Sequence, residues 1–188
     1  MAAASGRASV NHTGPIDPAL IAAWHRALAA WAGQGRLARA AAIALDLPAD
    51  HPGLGRLEQK LAAGDFADLP PIRDLDWEAM EGIPCAYLEQ ERLILINRDW
   101  LEDALEEQVI AVLSEQLGHH LDALFNSQDT AGDEGELFLE CLRGDPSEEL
   151  IADLRSRGDA VTLRLHGALV AVEESGAGAH CLDPRDLD

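Results

Sequence analysis

The stretch SEQLGHHLD, residues Ser114 to Asp122, places a carboxylate and an imidazole one helical turn apart. At i, i+4 spacing, Glu115 and His119 project from the same side of a helix, with Cβ atoms about 5–6 Å apart. Carboxylate oxygen and imidazole nitrogen are both zinc donors. Asp122, a turn further on, could add a ligand or orient the His119 ring. The plainer alternative is that Glu115, His119 and Asp122 form the solvated face of an amphipathic helix, which is the rule for surface helices. The neighbouring His120 falls on the apolar stripe, which predicts a buried, hydrogen-bonded histidine rather than a ligand.

A zinc-peptidase helix reads H-E-x-x-H. Over Glu115–His119 the chain reads E-Q-L-G-H. The second histidine is present, Glu115 stands in place of the first, and Gln116 stands where the general-base glutamate belongs. An acidic run follows, with Asp129, Asp133, Glu134 and Glu136 within eight residues. A zinc site built on one helix needs a further ligand from outside it, often a carboxylate. Glu134 or Glu136 could reach back, and Asp129 and Asp133 are alternatives. An EF-hand register over Asp129–Glu140 fails at Glu134, where the calcium loop needs glycine. The acids could equally do no more than cap the next helix.

The elements that must hold these groups are read from periodicity. Taking 100° per residue, Val109, Leu113, Leu117 and Leu124 fall on one line of a helix over about 106–125, and His120 joins them. Glu115, His119 and Asp122 fall opposite, beside the small residues Ala111 and Gly118, which would let another element approach. A helix over about 134–142 follows, then one from Pro146 to about Ser156. Before the motif, IPCAYLEQERLILIN reads as a hairpin of about 84–88 and 92–97. After it, AVTLRLHGALVAVEE reads as a second hairpin turning at His166-Gly167. Residues 65–82 read as loop, with Pro70-Pro71 blocking a helix. Asp99 reads as the cap of a short helix at Trp100–Leu105. Towards the N-terminus, Asp17 caps a helix with Pro18 at its first position. Further helices are expected over about 37–45 and 54–63, the last ending at Gly64. The Trp24/Trp31 stripe is read as core packing.

Composition bounds the function. The chain has 188 residues, 47% hydrophobic, with 34 acids against 14 bases and a net charge of −20. That excess argues against nucleic acid or anionic lipid as a partner and favours cations. No apolar run is long enough to span a membrane, and no N-terminal signal core is visible. Cys85, Cys141 and Cys181 form no motif and are read as isolated thiols.

Several segments in order, LAAGDFADLPPI, AYLEQERLILINRDWL, EEQVIAVLSEQLGHHLD, DTAGDEGELF and ALVAVEE, resemble a module of large secreted bacterial proteins. Those proteins carry haemolysin-type calcium-binding repeats, and many are cyanobacterial. The module is similar to a degenerate zincin. The likeness spans about residues 55–175, and its most specific parts are Asp129–Gly135 and the E-x-x-G-H-x-x-D pattern from Glu115 to Asp122. It implies an α+β, zincin-like fold: the motif helix on a small sheet of hairpins, with a helical subdomain at 15–64 and the zincin-like part at 65–175. Residues 1–14 and 176–188 would be flexible tails. The implied metal ligands are His119, Glu115 and Glu134, with Asp122, Glu136, Asp133 and Asp129 as partners or alternatives. Zinc is the expected ion and calcium the second candidate. The module usually carries two glutamates before L-G-H. With glutamine at 116, hydrolysis through that base would fail. The alternative is a non-enzymatic, calcium-responsive or interaction module. A secreted or cell-surface setting is implied, a peptide or protein is the partner class, and Arg92–Asn97 is the expected peptide-binding edge strand.

Overall fold

The computed structural model describes residues 16–165 and 167–175. The two expected tails and His166 lie outside the described residues. The architecture is α+β. Three N-terminal helices, α1 (Pro18–Gly33), α2 (Arg36–Ala44) and α3 (Pro52–Ala62), precede the strands β1 (Ile72–Leu75), β2 (Cys85–Leu88) and β3 (Leu93–Asn97). Then come α4 (Arg98–Leu101), α5 (Glu106–Phe125), α6 (Glu134–Arg143) and α7 (Glu148–Leu154). The hairpin β4 (Ala160–Leu165) and β5 (Ala168–Glu174) completes the sheet.

The sheet order is β1-β3-β2-β5-β4, with β1 parallel to β3 and the other pairs antiparallel. This corrects two expectations. Residues 65–82 are not all loop, because Pro70-Pro71 ends and β1 begins, the Pro71 carbonyl accepting from the Ile94 amide at 3.0 Å. Proline is tolerated there because it precedes an edge strand. Residues 92–97 are not an edge: β3 lies between β1 and β2, and all five of its residues are buried. The unbroken LILIN run fits a strand covered on both faces.

The two faces sort by parity, as strand geometry requires. Cys85, Tyr87, Ile94 and Ile96 belong to the main core with α5 residues Val109, Leu113 and Leu117. Ala86, Leu88, Leu93 and Leu95 pack with Met80, Leu163 and Val172 on the other side. The main core continues without a break into the N-terminal helices through Trp24, Leu28, Leu37 and Leu54, and into α6 through Leu137 and Phe138. Trp24 is thus a core residue, and its indole donates to the Ser114 hydroxyl at 3.1 Å. The short α4 is capped by the Asn97 side chain, not by Asp99, whose carboxylate accepts from the Trp77 amide.

Helix α5 is enclosed on nearly every side. Every residue from Ala111 to Asp122 is buried, while Leu124, expected on the core stripe, is 39% exposed. The polar side of α5 is covered because two glycines let α6 approach. A Cβ on Gly118 would lie 2.8 Å from the Gly135 Cα and 3.0 Å from the Phe138 Cβ. No helix among the described residues is long and apolar enough to cross a membrane.

Candidate metal centre

The expectation of a solvated face is overturned. Glu115, His119 and Asp122 are 0%, 1% and 4% exposed. Polar groups this deep require partners, and they find them in α6, the loop before it and β5.

His119 is the hub. Its Nδ1 lies 2.8 Å from Glu134 Oε1, 3.3 Å from Glu173 Oε2 and 3.5 Å from Asp159 Oδ2. Glu134 opens α6, where Asp133 caps the helix by accepting from the Glu136 amide at 2.7 Å. That cap turns the chain so that the next carboxylate points back at α5. Glu173 arrives from the sheet. Val172 packs on the outer face, so Glu173 takes the inner one, opposite Tyr87 in the β2–β5 register. Asp159 stands just before β4, its carbonyl accepting from the Glu174 amide. The imidazole ring lies against the Gly135 backbone, where a Cβ would sit 2.3 Å from Nε2. Nε2 is buried without a hydrogen-bond partner.

The electrostatics are those of a crowded anionic pocket. Burial alone would lower the His119 pKa, but the hydrogen bond and charge of Glu134, with Glu173 and Asp159, outweigh it and raise it to about 10. Burial, with mutual repulsion only partly relieved by His119, pushes Glu173 up to about 8 and Asp159 to about 6. Glu173 Oε2 and Asp159 Oδ2 are buried and accept no hydrogen bond. No lysine or arginine forms an ion pair with these carboxylates among the described residues.

The sequence-derived residues separate into different roles. Among the described residues, donor groups with ligand atoms within 4.8 Å of one another are His119–Glu134–Glu173, Glu115–His119–Asp133 and Asp122–Asp129–Glu134. His119 and Glu134 are brought together. Glu115 does not complete that pair; it accepts from the Ser175 hydroxyl at 2.7 Å and shares a separate group with His119 and Asp133. Asp122 does not orient His119 but accepts from the loop that follows α5. Glu136 turns away and pairs with Arg157 at 3.2 Å, so it is no ligand here. Asp129 is exposed at the mouth. Gln116 is fully buried, with neither amide atom hydrogen-bonded. His120 is buried and shares a 2.9 Å hydrogen bond with the Tyr87 hydroxyl. Burial, then the charge of Arg92, lowers its pKa to about 4, so the ring is neutral near pH 7. Cys85 and Cys141 are buried free thiols, and Cys181 lies outside the described residues.

No family model, curated protein or solved structure matches the chain.

Glu173 and Asp159 are the residues that sequence reasoning missed. The usable signal was the strand parity of ALVAVEE, which puts one of its two terminal glutamates on the helix-facing side. A small cleft of about 60 Å³ opens onto the centre, lined by Glu89, His119, Asp122, Asn126, Asp129 and Glu173 among others. It has room for an ion and a few waters, far below the ~300 Å³ typical of an organic ligand site.

Proposed function

We propose that the chain is a zincin-like, divalent-metal-binding domain whose centre is His119 Nδ1 with Glu134 and Glu173, and Asp159 as the adjoining carboxylate. One observation carries this reading. Three carboxylates converge on a single buried imidazole edge, and two of them present to it buried oxygens that accept no hydrogen bond. A lone imidazolium neutralises one carboxylate, whereas uncompensated buried charge is costly. A divalent cation at the same point satisfies the donor set, and imidazole with carboxylates suits zinc and other borderline divalent ions.

Glu115, expected as a ligand from its i, i+4 spacing to His119, gives way in this reading to Glu173, which shares the His119–Glu134 group. Gln116 cannot take a proton from water, and the narrow cleft disfavours a peptide. The domain therefore binds metal without hydrolysing peptides by the base-assisted route. A second reading, a calcium-responsive interaction module, draws on the all-oxygen group Asp122–Asp129–Glu134 at the mouth, since calcium prefers oxygen ligands.

Thermal melting with zinc, manganese and calcium, each against a chelated control, tests the choice. The metal-centre reading expects zinc or manganese to raise Tm at micromolar concentrations. A rise with calcium alone, saturating in the millimolar range, would favour the second reading.

A further inference from the structure

We propose that residues 126–130 form a fastened strap over the centre, and that Asp122 is the positioning residue that holds it shut rather than a metal ligand. The proposal rests on the metal-centre reading. Asp122 Oδ1 accepts from the Asn126 amide at 2.6 Å and the Thr130 hydroxyl at 2.5 Å, and Oδ2 accepts from the Thr130 backbone N–H at 3.1 Å. Both oxygens are thus occupied by the strap's two ends. The Asn126 amide also donates to the Leu45 carbonyl at 3.0 Å, just past the end of α2. A helix C-terminus leaves carbonyls without partners, and Asn126 satisfies one of them. Between the two fastened ends, Ser127, Gln128 and Asp129 line the cleft that opens onto His119.

The far side of the loop is pinned as well. The Asp133 amide donates to the Leu154 carbonyl at 3.0 Å, and Gly132, at φ +109°, packs so closely on Arg155 that a Cβ would lie 2.4 Å from its Cα. Arg155 in turn donates to the Ile43 carbonyl at 2.8 Å. Two carbonyls at the end of α2 therefore hold the side chains that flank the strap. The strap is thus one wall of the narrow cleft that leads to His119, and loosening it would widen that route and speed the ion's entry and release. Asp122 acts on the ion through the strap.

The experiment uses the full chain loaded with cobalt(II), with release into excess chelator followed by stopped flow. Asp122→Ala, Asn126→Ala and the milder Thr130→Val are compared with wild type. Each is expected to speed release about tenfold, the scale of one lost hydrogen bond to a charged group. The visible cobalt spectrum should stay unchanged in all three. If Asp122→Ala alone shifts that spectrum, Asp122 is a ligand and the proposal is overturned. Unchanged release rates in Thr130→Val and Asn126→Ala would overturn it too. The strap is also read on the ion-free chain by hydrogen exchange at the Thr130 amide. Protection in wild type that is lost in Asn126→Ala supports the fastening, and free-peptide exchange in wild type refutes it. A wild type that takes up no cobalt defeats the metal-centre reading and the gate with it, while the exchange result still judges the strap.

Discussion

At the scale of single residues, the centre depends on which face of an element each acid occupies. Glu134 and Glu136 are two residues apart in one helix, yet one meets His119 and the other meets Arg157. Successive helical positions differ by 100°, so a two-residue step reverses the direction. Glu173→Gln and His119→Ala should each weaken zinc uptake by about 100-fold or more, while Glu136→Gln should leave it within about twofold. Isothermal calorimetry measures all three, and equal losses across them would remove the structural assignment. His119 and Glu134 were legible in the sequence because they lie close together, one on each side of a single loop. Glu173 and Asp159 were not, because they reach the site through strand pairing across 40 to 54 residues of chain. Glu115, also expected beside His119 and Glu134, keeps its place near His119 in a group with Asp133 and accepts from the Ser175 hydroxyl, a partner that helix spacing cannot show.

At the scale of elements, the close approach of α5 and α6 is the construction that buries the centre. Gly118 meets Gly135 backbone to backbone, and Gly135 in turn leaves space for the imidazole. Gly135→Ala should drive a methyl group into the His119 ring. It should cost about 1–3 kcal/mol, the usual penalty for overpacking a core, and impair metal uptake. Gly55, inside α3, is the control: a Cβ there meets nothing within 4 Å. Gly55→Ala should stabilise by about 0.5–1 kcal/mol through the helix preference for alanine. Urea unfolding compares them, and a neutral Gly135→Ala would contradict the packing. The motif helix, the α6 helix and both hairpins were legible from periodicity. The burial of the polar side of α5 was not, since the wheel shows that a face is polar but not what covers it. The small residue Gly118 was the one local hint. The short β1 was hidden by the two prolines that precede it, and the interior place of β3 depended on that missed strand.

At the scale of the whole molecule, a chain of net charge −20 also gathers Glu134, Glu173 and Asp159 around one buried imidazole. The sign of the resulting pH dependence follows from the shifts. Glu173 is raised to about 8 and His119 to about 10, so above pH 6.5 the folded chain holds more protons than the unfolded one. Their contribution is present at lower pH and is lost as pH rises through those values. The opposite effect of His120, lowered to about 4, is mostly spent at pH 6.5 and fades within about one further pH unit as the unfolded imidazole loses its proton. The ion-free protein should therefore melt at progressively lower temperature from pH 6.5 to 9. With saturating zinc the decline should flatten, because the ion takes the protons' place and binds the deprotonated groups better as pH rises. Calorimetric scans across that range check both halves, and a rise in the ion-free Tm would oppose the crowded-carboxylate account.

The most direct measurement is the metal content of the full chain purified without chelator, dialysed against metal-free buffer and analysed by inductively coupled plasma mass spectrometry. The account predicts about one equivalent of a divalent transition metal in wild type and loss of most of it in Glu173→Gln. Less than about a tenth of an equivalent in wild type, remaining so after incubation with zinc and renewed dialysis, would contradict it.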